Sequence, residues 1–256
     1  MAGSVLAAQM YTLRDFTKSR EDLEETFKKV ADIGYQAVQL SAIGVELPAE
    51  EMKALLDKYG LTCCATHHVG FDELRDNLEQ EAEYHRIIGC EWIATGGWGK
   101  DLKTEQDWIG FAREASIVAR KLAPLGLHYG YHNHSHEFEK FGERTAYEIL
   151  VEESDPEYVT FELDTYWVQH GGASPVVWIK KLAGRLPLLH LKDMAMRGRE
   201  QLYAEVGEGN LDWEGILEAA REAGVKWYIV EQDVCQRDPF ESLEISFNNL
   251  KKMGLH

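Results

Sequence analysis

The sequence predicts an α/β fold, and within that class a single-domain (β/α)8 TIM barrel over residues 1–256. Three observations carry the prediction. Short apolar runs alternate strictly with longer amphipathic stretches, the pattern of parallel strands joined by crossover helices. Eight such units occur in 256 residues, the number and length of an α/β barrel. No linker, low-complexity segment or shift in composition divides the chain. A doubly wound open sheet is the alternative, but the first strand–helix turn lacks its G-x-G-x-x-G phosphate fingerprint.

Each element has its own signal. Val5–Gln9 reads as the first strand. Ser19 then caps a helix with Leu23, Phe27 and Val30 on one stripe, and Gly34 closes it. Ala37–Leu40 is the second strand, followed by a helix from Pro48 through Met52, Leu55 and Leu56 to Gly60. Leu61–Thr66 is the third and runs into His67-His68; one helix is expected from about Asp72 to Ile88, ended by Gly89. Glu91–Thr95 leads into Gly96-Gly97-Trp98-Gly99, and Thr104 opens a helix carrying Trp108, Phe111, Ala115, Val118 and Leu122. Gly126–Tyr131 is the fifth strand, with a helix over about Arg144–Glu153. Val159–Leu163 is the sixth, and its helix starts at Ser174-Pro175. Leu186–Leu189 is the seventh, with a helix capped by Asp212. Trp227–Val230 is the eighth, and Asp238-Pro239 opens the last helix.

Composition narrows the function. A formal charge of -17, from 27 basic and 44 acidic residues, repels phosphates and anionic lipid, so neither nucleic acid nor a membrane is an expected partner. Cys63, Cys64, Cys90 and Cys235 contain no C-x-x-C pair and read as small buried residues in a reducing compartment. The opening MAGSVLAAQM has no basic region, and no apolar run nears the roughly 18–20 residues of a membrane span. A cytoplasmic location is the expectation, with a homo-oligomer left open.

Active sites of such barrels lie at the C-terminal ends of the strands. Here the third strand ends in His67-His68, the fifth in Tyr131-His132-Asn133-His134-Ser135-His136-Glu137-Phe138, the sixth in Asp164, the seventh in His190 and the eighth in Glu231. Alternation along an extended chain puts His132 and His134 on one side. A polar residue ending one strand is unremarkable; five ends made only of His, Asp and Glu point to a shared site. Two carboxylates with one or two imidazoles suit a single divalent ion such as Mn2+, Zn2+, Co2+ or Mg2+, Mn2+ being preferred. Positions left open on that ion could chelate adjacent oxygens of a sugar or keto-sugar, polarise its carbonyl and acidify the neighbouring C–H, which a carboxylate or histidine then deprotonates.

These residues resemble the xylose isomerase-like barrel superfamily, in the branch of sugar phosphate isomerases/epimerases, with inosose dehydratases as relatives. The resemblance covers essentially the whole chain. It rests on Gln9-Met10-Tyr11-Thr12-Leu13-Arg14, Tyr131-His132-Asn133-His134 with Glu137-Phe138, Phe161-Glu162-Leu163-Asp164, Leu189-His190-Leu191-Lys192-Asp193, Val206-Gly207-Glu208-Gly209 before Asp212-Trp213, and Val230-Glu231. It implies one divalent cation held by Glu, Asp, His and Glu from strands five to eight. Asp164, His190 and Glu231 match that set. At strand five, where many relatives have Glu-Asn-His, this chain has His132-Asn133-His134. Either His132 takes the ligand position or Glu137 reaches back to it, and charge balance favours Glu137.

The expected catalytic residues are therefore His132, His134, Glu137 and Glu231, and the expected metal ligands Glu137, Asp164, His190 and Glu231. Arg14, His67, Trp98 and Lys192 are candidates for binding substrate. Each also has a plainer reading: a surface ion pair for Arg14, packing for His67 and Trp98, and pairing with Asp193 for Lys192. Trp167 and Trp178 read as core or as a wall for a sugar ring. The expected reaction is isomerisation or epimerisation of a small sugar through an enediolate, and the alternative is a lyase or dehydratase acting on a keto-sugar or keto-inositol. A DNA-repair endonuclease of the same barrel type needs a basic face that this chain lacks. A non-enzymatic sugar-binding barrel is the remaining possibility.

Overall fold

The structure is a computed structural model that describes residues 5–255; Met1–Ser4 and His256, with the reading of the first four residues, lie outside it. Eight parallel strands close into a barrel: β1 (Val5–Gln9), β2 (Ala37–Ser41), β3 (Thr62–His67), β4 (Trp92–Thr95), β5 (His128–His132), β6 (Val159–Asp164), β7 (Leu188–Leu191) and β8 (Trp227–Val230). The order around the barrel follows the chain, and β1 pairs with β8 to complete the ring. Helices fill the connections, among them Arg20–Ile33, Ala49–Lys58, Glu105–Leu122, Trp213–Ala223 and Pro239–Lys252.

The caps read from the sequence act as such. The side chains of Ser19, Thr104, Asp212 and Asp238 each accept a backbone N–H of the helix they open. Each helix buries one stripe against the outside of the barrel, as Trp108, Phe111, Ala115, Val118 and Leu122 do.

Inside the barrel a second, smaller cluster of Ala7, Ala37, Cys64, Ala65, Trp92, Leu188 and Ile229 forms an apolar floor. Two residues further along four of these strands, on the same inward face, stand Gln9, Gln39, His190 and Glu231. All four are buried, so the interior changes from apolar to polar toward the C-terminal rim. Register holds the polar layer together: Gln9 is opposite Gln39, His132 opposite Glu162, and Asp164 opposite His190.

Four departures from the expected elements bear on the layout of the chain. The helix expected over Asp72–Ile88 is two, Phe71–Asp76 and Leu78–Ile88, broken where Asn77 leaves helical geometry at φ -121 and ψ 32. A short helix, Thr165–His170, follows β6 directly because the Asp164 side chain accepts the Trp167 N–H. Strand β7 lies two residues later than expected, which puts His190 inside the ladder. Beyond it an antiparallel hairpin, Asp193–Arg197 with Glu200–Ala204, stands on the rim.

Candidate functional site

The ends of β5 to β8 converge. One ligand-type atom from each of His132, Asp164, His190 and Glu231 lies within 4.8 Å of the others, and all four residues are buried. Each is placed by backbone geometry. Asp164 is gripped from both sides: its N–H donates to Asn133 Oδ1 at 3.0 Å, and its Oδ1 accepts the Trp167 N–H at 3.0 Å. That leaves Oδ2, buried and 2.9 Å from the Lys192 ammonium, 3.5 Å from Nε2 of His132, which has no hydrogen-bond partner.

His190 is the best-determined ring. Its Nε2 lies 2.6 Å from Gln39 Oε1 and 3.2 Å from Glu162 Oε1. Gln39 uses its amide nitrogen on Glu162, at 2.7 Å, so its oxygen is what faces the ring. Both neighbours of Nε2 are thus acceptors, and Nε2 carries the proton. Nδ1 then faces Glu231 Oε2 at 3.1 Å and Asp164 Oδ2 at 3.7 Å. A lone pair aimed at two carboxylates needs a cation or a second proton between them. Burial opposes charge on the ring, but Glu162 and Glu231 overcome it and raise the His190 pKa well above its usual value.

Lys192, fully buried, sets its ammonium 2.9 Å from Asp164, 2.6 Å from Glu231 and 2.7 Å from Asp233. Burial alone would raise the carboxyls of Asp164 and Glu231; the Lys192 ammonium and the neighbouring imidazoles outweigh it and hold both well below their usual range. Asp233 moves the other way, because burial and the nearby Glu231 charge exceed the pull of the shared ammonium. Burial pushes His132 down to about 3, which keeps its ring neutral. Asp164, Glu231 and Asp233 thus face one ammonium, an excess of negative charge that a divalent cation offsets.

The geometry sorts the other candidates. Glu137 is not in the four-residue group, which corrects the expectation that it reaches back to the strand-five position. It sits in a short 3-10 turn, where its carboxylate accepts the Tyr131 hydroxyl at 2.7 Å and the His134 N–H at 2.9 Å, and it shares a separate cluster with His134 and His136. His134 is half-buried, its ring 4.9 Å from His132 and 5.6 Å from Trp167. His67 borders the group, 5.1 Å from the His132 ring, with Nε2 2.5 Å from Glu162 Oε2. It also lines a cavity of about 280 Å³ walled by Leu40, Ile43, Val45, Leu47 and Met52.

Lys192 does not pair with Asp193. That carboxylate turns away to accept the N–H groups of Met194, Gly207, Gly209 and Leu211 and the Trp213 indole. Arg14 is committed to the carbonyls of Tyr11 at 2.7 Å and Asp233 at 3.0 Å. Trp98 donates to Asp72 at 2.8 Å and packs on Phe111, lining a second cavity beside His136. Trp178 is core, whereas Trp167 stands over Lys192 and His134. Sequence reasoning missed Glu162, Gln39 and Asp233 as parts of the site. The available signal was a carboxylate two positions before Asp164, on the same inward face of a strand.

Comparison with known proteins agrees with this architecture. The family profile described as "xylose isomerase-like TIM barrel" matches residues 27–252. Inosose dehydratase of Geobacillus kaustophilus is 24% identical over 91% of this chain and 88% of its own length. The Lacticaseibacillus casei inosose dehydratase is 25% identical, over 85% of this chain and 86% of its own. Among solved structures, a sugar phosphate isomerase/epimerase from Parabacteroides distasonis superposes with a TM-score of 0.81 at 23% identity, covering 98% of this chain and 94% of that one.

Proposed function

The chain belongs to the xylose isomerase-like TIM barrel family, and from that premise we propose a divalent-cation-dependent enzyme that removes the proton next to the carbonyl of a keto-sugar or keto-polyol and expels water from the adjacent carbon. One observation carries the cation: Nε2 of His190 is held by two acceptors, so Nδ1 is aimed at Asp164 and Glu231. The residues fit such an ion. Two nitrogens and two carboxylates converge, His132 Nε2 has no hydrogen-bond partner, and the donor set suits Mn2+ or Zn2+.

His132, Asp164, His190 and Glu231 would hold the ion, which supplies a Lewis acid toward the substrate carbonyl. The protein's own groups do the rest. Lys192, wedged between the same carboxylates, keeps them ionised and faces developing negative charge. His134, beside His132 and half-open toward Trp167, is placed to take the proton from carbon and return it to the departing hydroxyl. Trp167 and Tyr203 offer ring faces above Lys192 for the sugar.

Isomerisation or epimerisation, the outcome expected first from the sequence, begins with the same proton removal. Elimination is preferred here because Glu137 is turned away, so strand five presents imidazoles rather than a second free carboxylate. The inosose dehydratase relatives support the same choice. Incubation of a panel of keto-inositols and keto-sugars in D2O with Mn2+, read by mass spectrometry, tests it. The expected product has lost one water. Recovered substrate or an isomer carrying deuterium, with no water lost, would favour isomerisation, and neither exchange nor elimination across the panel would overturn the reading.

A further inference from the structure

We infer that Gln9, Gln39 and Glu162 are positioning residues that fix the ring of His190, and through it the affinity of the site for its cation; this rests on the metal-dependent reading above. All three are fully buried and form one chain of hydrogen bonds across the barrel interior. The chain starts at the backbone, where the Tyr11 N–H donates to Gln9 Oε1 at 3.3 Å. Gln9 Nε2 donates to Gln39 Oε1 at 2.9 Å, and Gln39 Nε2 donates to Glu162 Oε1 at 2.7 Å. His190 Nε2 closes it on both Gln39 Oε1 and Glu162 Oε1. Every donor in the chain has an acceptor, so neither amide can flip without setting two like groups against each other.

A ligand role for Glu162 is the competing reading, since it also groups with His67 and His190. Its oxygens argue otherwise: Oε1 takes Gln39 and His190, and Oε2 takes His67 at 2.5 Å. It lies on the far edge of the His190 ring from Asp164 and Glu231. A neutral acceptor would satisfy the ring N–H at lower desolvation cost than a buried carboxylate. What the carboxylate adds is orientation and basicity at Nδ1, the effect of an anion behind a metal-bound imidazole. The same group also fixes His67 at the edge of the site.

Chelator-stripped wild type, Glu162→Gln, Gln39→Leu and Tyr35→Phe are titrated with Zn2+ by calorimetry. Long-range 1H–15N spectra of the Zn2+-loaded wild type locate the His190 proton. Tyr35→Phe is the control for buried polar loss, because the Tyr35 hydroxyl donates to the distant Leu243 carbonyl. Glu162→Gln and Gln39→Leu should weaken Zn2+ binding by about 10–100-fold, with Tyr35→Phe within about threefold of wild type. The wild-type His190 proton should be on Nε2. If Glu162→Gln does not fold, Gln39→Leu carries the comparison. Zn2+ affinity unchanged in both variants, or a proton on Nδ1, would overturn the inference. Should Asp164→Asn abolish binding while these variants do not, the inference falls and the metal reading stands. A wild type that takes up no Zn2+ overturns both.

Discussion

Asp164 and Glu231 each combine full burial with an oxygen shared between Lys192 and the Nδ1 edge of His190. Replacing either by its amide keeps shape and removes the charge, so Asp164→Asn or Glu231→Gln should lower Zn2+ affinity and turnover at least about a hundredfold, more than loss of a group behind a ligand. Titration calorimetry and steady-state rates read the two effects. Glu137→Ala should do the reverse. It strips the acceptor from the Tyr131 hydroxyl and the His134 N–H, costing about 1–3 kcal/mol in urea denaturation, while Zn2+ affinity stays within about threefold. The convergence of Asp164, His190 and Glu231 was legible in the sequence because each ends a strand, and strand ends meet at one rim. Which of His132 and Glu137 stands beside them was not legible. It depends on a three-residue 3-10 turn that points Glu137 back at its own loop, a matter of local packing that no spacing rule encodes. Glu162 was missed because, inside an apolar run, it looks like strand rather than site.

Connections matter as much as strands. The hairpin after β7 and the loop before Trp213 are pinned together by Asp193, which accepts four backbone N–H groups and an indole. Gly209 passes so close that an added Cβ would meet Asp193 Oδ1 and the Met194 carbonyl. Gly209→Ala should therefore cost about 1–3 kcal/mol, seen as a lower urea midpoint at unchanged slope. The helix Leu78–Ile88 is tied to β3 by His85, whose Nδ1 donates to the Glu81 carbonyl and whose Nε2 meets the Thr66 hydroxyl at 2.7 Å. Burial pushes its pKa down to about 4. A folded value below the unfolded value of about 6.5 means stability is complete above pH 6.5 and lost as pH falls toward 4, about 3 kcal/mol in all. His85→Gln should flatten that part of the stability–pH curve, and an unchanged curve would show that the ring titrates freely. The hairpin was not legible: its middle, Met196–Gln201, is solvent-facing on both sides, so it carries no hydrophobic period. The expected single helix failed at Asn77 because one residue leaving helical geometry does not disturb the apolar stripe on either side.

The barrel as a whole is what makes the site. Its four ligand-type residues come from four strands, separated in sequence by at least 26 residues, and parallel closure sets them at one rim. Strand count and order were legible because a buried parallel strand is a short apolar run and each is followed by a capped helix. The inward apolar-to-polar change along β1, β2, β7 and β8 was visible only once the faces were assigned, since a two-residue period says nothing about which face is inside. No helix among the described residues is long and apolar enough to cross a membrane. The most direct test of the account is anomalous diffraction from crystals of the full chain grown with Mn2+. One peak is expected, bonded to His132, Asp164, His190 and Glu231 at about 2.0–2.4 Å. No peak there, or a peak held instead by His134, His136 and Glu137, would contradict it.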